Sequence, residues 1–444
     1  MMAPLNSSAY AAYKCSSVRW LDKIPSHWGI SRSKHLFSQR IELAKKEDIQ
    51  LSATQAYGVI PQDQFESMVG RKVVKITLHL DKRKHVEVND FVISMRSFQG
   101  GLERAWAAGC IRSSYVVIRP VKKLDSSYYG YLFKSKRYIE ALQSTASFIR
   151  DGQDLNFDNF TQVDLIHPPY HEQAAIAAFL DPKVGLIDQV LSVKERQIEL
   201  LKERKQILIQ QAVIRGLDSH APMRDSGIEW IGEIPTHWQL KRLKHVLEEC
   251  TDRSRYGEEP LFMVSQVHGL VVRSEYHEKA EVAASAVGNK IVREGDLVFN
   301  KLKAHLGVFF KSCILFQGIV SPDYAVYRPK AHIEDLKYLE HLFRHPAYIG
   351  QFIIRATGVV EGLIRLYTTE LFDIPVPVAP VDEQREILCF IETVSRRQDK
   401  AIALFEPQIS KLKEYKATLI NSAVTGKIKV PGVVEPATQD REVA

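Results

Sequence analysis

The chain repeats itself. Trp20-Leu-Asp-Lys-Ile-Pro-Ser-His-Trp28 is answered by Trp230-Ile-Gly-Glu-Ile-Pro-Thr-His-Trp238 at an offset of 210 residues, and a W-x-x-x-I-P-x-H-W pattern does not arise twice by chance. Lys34-His35-Leu36 and Lys244-His245-Val246 share that offset, as do Leu132-Phe133 and Leu342-Phe343, while YVVIRP from Tyr115 pairs with YAVYRP from Tyr324 at 209. Self-similarity at a long fixed period marks a repeated structural unit. The 444 residues agree, because single cores stop growing near ~250 to 300 residues.

Each copy has two parts. The first, roughly 150 residues, mixes short β-rich runs (FVISM from Phe91, LVF from Leu297) with helical stretches such as 336–343 and breaks often at Gly and Pro, which predicts a compact α+β globule. The second part reads as one long helix. In the first copy Ile187, Leu191, Ile198, Leu201, Leu208 and Ala212 follow alternating steps of four and three once Lys194 and Lys205 fill two gaps. In the second copy Ile402, Phe405, Ile409, Leu412, Leu419 and Ala423 keep the register at an offset of 211. Matched heptad stripes pack on each other, and a run of about 40 residues is ~60 Å long, so only a partner helix covers it. Pro182 and Gly185 are expected to break or kink the first helix near Asp181, and Pro407 to kink the second near Glu406. Gly216 and Gly426 are placed to end the helices as left-handed caps.

The resulting division is 1–170 for the first globule, 171–217 for the first long helix, 218–380 for the second globule, 381–430 for the second long helix, and 431–444 for a tail expected to be disordered. Residues 217–225 (LDSHAPMRD) form a short polar linker at the junction of the copies.

Hydrophobic content of 45% and charged content of 25% are those of a folded, water-soluble chain. No apolar run approaches the roughly 18 residues a membrane span needs, and the N-terminus lacks a basic segment followed by an apolar one, so a cytoplasmic protein is expected. Cys15, Cys110, Cys250, Cys313 and Cys389 are scattered and odd in number, which suits reduced thiols rather than a disulfide framework or a CxxC metal site. A net charge of +7 suits a polyanionic partner without demanding one.

Two motifs hint at catalysis. Ile166-His167-Pro168-Pro169-Tyr170 has the outline of the loop that holds a flipped adenine in N6-adenine methyltransferases, but it lacks the Asn or Asp and stands just before the Glu-Gln that opens a helix. A Pro-rich helix start explains it better. Asp323, Asp335 and Lys337 sketch a metal-dependent nuclease, but Asp335 opens the helical stretch IEDLKYLEHLF, where a first-turn charge is the simpler reading. The chain has no GxxxxGK[ST] loop, no Gly-rich cofactor fingerprint and no zinc-ligand spacing, and no catalytic residue or metal ligand is expected.

Further runs carry a family likeness: GLDSHAPMRDSGIEWIGEIPTHWQLKRLK between the copies, PP-x-x-EQ and PV-D-EQ at the helix starts, GIVSPDYAVYRP in the second copy, and SAVTGKI closing it. From about Trp20 to Val430 the chain resembles the specificity subunit of Type I restriction-modification systems. One departure is Cys15-Ser16-Ser17, where the second copy has Asp225-Ser226-Gly227. The resemblance implies two target-recognition globules, each reading one half of a split double-stranded DNA site. It also implies that the long helices form an antiparallel coiled coil that spaces the halves and docks methyltransferase subunits. S-adenosylmethionine, ATP and Mg would be bound by partner subunits, a methyltransferase and a motor-nuclease, with no cofactor in this chain.

Reading DNA takes Lys and Arg on phosphates and Arg, Lys, Asn or Gln on base edges. The candidates lie in loops after strands: Arg96, Ser97 and Gln99 in the first copy, and Lys301, Lys303 and His305 in the second. A further pair of loops contributes Arg150 and Gln153, and Arg355, Thr357 and Arg365. Phosphate contact is expected from Arg71, Lys72, Lys75, Lys82, Arg83 and Lys84, while Trp20 and Trp106 are expected in the core.

Overall fold

The computed structural model describes residues 9–73, 82–94, 97–145, 155–276, 286–357 and 365–436, leaving aside the side chains of Ala304 and His305. The chain divides into two units that cut across its linear order: Met1–Glu195 with Pro407–Ala444, and Arg196–Glu406. Each unit holds one globule, the start of one long helix and the end of the other.

In the first unit an antiparallel sheet runs in the order Phe37–Arg40, Val116–Pro120, Phe91–Ile93, Glu103–Arg104. Successive strand residues point to opposite faces, and both faces are covered. Phe91, Ile93 and Ile118 join the large core under the helices, while Val92 and Val117 join a smaller one with Leu51, Val59, Val86 and Ile111. This is why the central runs read as continuously apolar. The large core is a lattice of edge-to-face and tilted rings around Phe133 and Phe37.

The second unit repeats this strand for strand, with Leu247–Glu249, Tyr324–Pro329, Leu297–Asn300 and Phe309–Lys311. Leu297, Phe299 and Tyr327 face one core, Val298 and Val326 the other. Trp20 packs edge-on against Tyr138 in the first unit, and Trp230 against Tyr348 in the second.

The repeated His-Trp and Glu-Gln pairs meet. In the first unit His27 Nε2 and Trp28 Nε1 lie 2.5 and 2.9 Å from the Glu172 carboxylate. In the second, His237 and Trp238 lie 2.8 and 2.9 Å from Glu383. The glutamine beside each glutamate ties the helix start to the preceding loop: Gln173 Nε2 donates to the Pro168 carbonyl and Gln384 Nε2 to that of Ala379. Pro168 and Pro169 thus link the strand Asp164–His167 to a helix.

The first long helix spans Tyr170–Arg215 and the second Val381–Val424. The expected break at Pro182 does not occur. Pro182 and Gly185 lie on the exposed side, while Ile176, Leu180, Val184 and Ile187 bury the opposite side in the first core, and that packing outweighs one missing backbone donor. The second helix continues through Pro407, the point at which it passes from one unit to the other.

Within the first unit the helices run antiparallel. Asp188 pairs with Lys416, Glu195 with Lys413, and Lys194 Nζ donates to Gln408 Oε1. Within the second, Lys205 pairs with Asp399 at 2.9 Å. The end of each helix is held by the globule of its unit: Tyr128 OH donates to the Val424 carbonyl and Tyr338 OH to that of Val213. Gly426 and Gly216 follow with φ of +71° and +75°, and a Cβ on Gly426 would stand 2.5 Å from Pro25 Cδ, so these caps need glycine for conformation and for space. Past Gly426, Val433 is buried and Glu435 accepts from the Ala11 N–H and pairs with Lys429. Packing therefore extends past residue 431, the expected start of the disordered tail; residues 437–444 lie outside the described residues.

Candidate nucleic-acid interface

The loops proposed to meet DNA occupy matching places in the two sheets. Gly101 and Gly307 close them, with φ of +76° and +63°, and each lies against the carbonyl of the equivalent phenylalanine, Phe133 or Phe343. At Gly101 a Cβ would stand 2.0 Å from that carbonyl, so no L-residue fits there without displacing backbone, and at Gly307 the contact is tight at 3.0 Å.

In the first unit Ser97 is buried and accepts from the Ser94 N–H through its Oγ while donating its own N–H to the Ser94 carbonyl. It shapes the turn rather than facing out. Gln99 is exposed on the short helix Ser97–Gly100. Arg96, Arg150, Gln153 and Lys75 lie outside the described residues. Arg71, Lys72 and Lys82 are exposed. The rest of the basic run follows the strand Lys84–Val86: Arg83 is buried beside Cys110, and Lys84 Nζ donates to the Tyr115 carbonyl at 2.6 Å. Burial lowers the Lys84 pKa. His85 bridges Asp48 and Glu87 at 2.8 and 2.7 Å.

In the second unit three loop segments converge. The Lys301 N–H donates to the Asp323 carbonyl, and the Lys301 carbonyl accepts from the Leu366 N–H. Thr357 and Arg365 exchange both backbone hydrogen bonds at 2.9 Å, and the Arg365 guanidinium pairs with Asp323 at 2.9 Å. Among the described residues, Arg365 Nε is buried without a hydrogen-bond partner. Lys301 is half-buried with Nζ 3.9 Å from Glu249, and burial, with Lys290 nearby, lowers its pKa. Lys303 is exposed; the side chain of His305 is not described. Arg355 ends the helix Pro346–Arg355 and donates to Gln351. Lys301, Thr357 and Arg365 thus share one surface, with Asp323 fixing the arginine.

The nuclease outline dissolves in the same geometry. Asp323 holds Arg365, Asp335 caps its helix through the Lys337 N–H and pairs with Lys311, and Lys337 Nζ holds Glu340. Among the described residues no group of three or more His, Cys, Asp or Glu is placed to hold a metal ion.

Trp106 is not a core residue. It is 56% exposed, with the Arg104 guanidinium 4.3 Å above its ring. Trp20 is partly buried on the first core, its indole N–H donating to the Asp164 carbonyl.

No protein-family model matches the chain. It is 22% identical to the type I restriction enzyme MjaVIII specificity subunit of Methanocaldococcus jannaschii, over 92% of this chain and 94% of that one. The EcoKI specificity subunit of Escherichia coli K12 is 23% identical over 65% of this chain and 64% of its own. Among solved structures, a chain described in connection with complex assembly and conformational transition of the type I R-M system superposes with a TM-score of 0.63 at 14% identity, covering 91% of this chain and 99% of that one. In sequence over nearly its whole length the chain is similar to type I restriction enzyme specificity subunits, and in fold to a chain of a type I R-M system.

Proposed function

We propose that this chain is the DNA-reading subunit of a type I restriction-modification complex, acting in the cytoplasm, with the globule of each unit reading one half of a split site. The observation that carries this is a scaffold duplicated strand for strand whose loops differ: Gln99 stands on the first reading loop, Lys301 and Lys303 on the second. Two matched scaffolds with unlike loops suit a target made of two unlike halves. The chain itself performs neither methyl transfer nor cleavage. Those steps, with S-adenosylmethionine, ATP and Mg, belong to methyltransferase and motor-nuclease partners. Support for docking on the helices comes from exposed apolar residues at steps of seven on the first, Leu186 and Val193 in one unit and Leu200 and Ile207 in the other, because exposed apolar stripes of this kind mark contact surfaces.

Methylation-sensitive sequencing of the source genome tests the proposal. A two-part adenine-methylated motif should be present with the chain and vanish on its deletion, and exchanging residues 20–170 for those of a relative should change one half only. A methylome indifferent to the deletion refutes the DNA-reading role. Methyl transfer or cleavage by the purified chain alone refutes the non-catalytic one.

A further inference from the structure

Each unit carries a β-hairpin whose tip has no part in either core. The hairpins are Leu51–Thr54 with Gly58–Pro61, and Phe262–Ser265 with Gly269–Val272. Their tips read Thr54-Gln-Ala-Tyr-Gly58 and Ser265-Gln-Val-His-Gly269. The first hydroxyl builds each turn: Thr54 Oγ1 accepts from the Tyr57 N–H at 3.0 Å, and Ser265 Oγ accepts from those of Val267 and His268 at 3.3 and 3.2 Å. The closing glycines have φ of +73° and +78°. Each sits on the edge of its sheet, Gly58 against Trp106 and the Arg104 carbonyl, Gly269 against the Phe310 ring. The turn is thus seated firmly, yet the three residues between hydroxyl and glycine are exposed in both units.

The surroundings of the tips are cationic and aromatic. Lys134 Nζ donates to the Gln55 carbonyl, and the equivalent Arg344 lies 4.9 Å over Phe310, the ring under the second tip. In the first unit the Gln55 amide lies directly against Gly100, next to the exposed Gln99. Tyr57 and Trp106 flank it, both exposed. The tip and the candidate reading loop therefore form one surface. A two-stranded antiparallel ribbon is narrow enough for the DNA major groove, and glutamine pairs its amide with adenine N6 and N7 there.

Resting on the DNA-reading function, we propose that hairpin residues 55–57 and 266–268 are base-contacting elements, with Gln55 and Gln266 making the same kind of contact and Tyr57 against His268 making the half-sites differ. Selection of bound sequences from randomised duplexes by the full-length chain tests this. Gln55→Ala should relax one position of one half-site by about 5- to 150-fold in discrimination. Tyr57→His combined with Ala56→Val should change the preferred base beside it and leave the other half intact. Because these side chains are exposed, thermal unfolding should not move, which separates lost contact from lost fold. An unchanged motif with both variants overturns the proposal, and so does equal weakening on every sequence, which marks phosphate contact. A wild-type chain that selects no motif overturns the DNA-reading function itself, and the tip assignment with it.

Discussion

His-Trp and glutamate meet in both units, but in unlike surroundings. In the first, Glu172 is 0% exposed and Tyr10 OH reaches it at 3.3 Å as a third donor. In the second, Glu383 is 20% exposed and His237 46%. The cover makes the difference. Around Glu172 the segment bearing Tyr10 and the segment after Gly426 lie together, through Ala11 on Glu435 and Tyr13 OH on the Gly426 carbonyl. At the repeat junction the single linker 217–225 stands in the place of both. One motif therefore sits in a dry site in one unit and a wet site in the other, and a charge–dipole contact is worth more where water is excluded.

The largest expected effect follows. Glu172→Ala strands the Trp28 indole N–H and the Tyr10 hydroxyl in a closed site and, at about 1 to 3 kcal/mol for each unsatisfied donor, should cost about 2 to 6 kcal/mol. Glu383→Ala lets water replace the carboxylate and should cost about 1 to 2 kcal/mol. Hydrogen exchange at the two helix starts reads each unit separately, which a single melting point in a two-unit chain does not. Equal losses would show that cover does not set the strength of the contact.

A second contrast lies beside the small cores. The Asp90 carboxylate accepts from the Glu87 N–H and Asp296 from that of Arg293, so Glu87 and Arg293 occupy matching positions. Around the first, burial disfavours charge on His85, but hydrogen bonds to Glu87 and Asp48 outweigh it and raise the imidazole pKa, with Lys45 opposing. Around the second, Arg293 holds the Asp252 carboxyl below its usual range. With the folded His85 pKa above the unfolded value of about 6.5, its stabilisation is complete below that value and is lost as pH rises through the folded pKa. The Asp252 contribution is lost only in acid. Raising the pH of urea unfolding from about 6 to about 9 should therefore cost the first unit the His85 contribution. The second unit should gain slightly at the low end of that window, because burial lowers the folded pKa of its His341 to about 3 and the unfolded imidazole stops binding a proton. His85→Gln should remove the first unit's loss. A first unit indifferent to pH, or a variant that keeps the slope, would assign the contrast elsewhere.

The repeat, the two long helices and their glycine caps were legible because each leaves a local, periodic trace. The division of each helix between two units was not, since a heptad names a buried stripe and not the surface that buries it. His27-Trp28 and Glu172-Gln173 both recur in the second copy, and that shared recurrence was the available clue to their meeting; sequence alone does not join residues so far apart. The basic run misled for a simpler reason: Lys82 to His85 enters a strand, so Arg83 turns inward where a count of charges sees only a patch. Ser97 offered a hydroxyl that its own turn consumes. Trp106 stands out because it follows the edge strand and rests on Gly58 at the surface, and the hairpin tips stayed hidden because exposed turn residues carry no periodicity.

The smallest expected effect is one in which the units should agree. Asp188 and Lys416 in the first unit correspond to Asp399 and Lys205 in the second, the same carboxylate-to-lysine pair at 2.6 and 2.9 Å. Both lysines take slots in the heptad that would otherwise be apolar, and both are partly exposed. Exposed pairs contribute about 0.2 to 1 kcal/mol and fade as salt shortens the screening length, so a double-mutant cycle on either should give a small, salt-sensitive coupling. A lysine at such a slot fixes register at some cost in stability. Lys205→Leu and Lys416→Leu should therefore each raise the resistance of their own unit to unfolding slightly, and by similar amounts, because the surroundings match where those of Glu172 and Glu383 do not. An unequal response would mean that the difference between the units extends from the covered glutamate into the helices, and that the symmetry of the pair ends at its sequence.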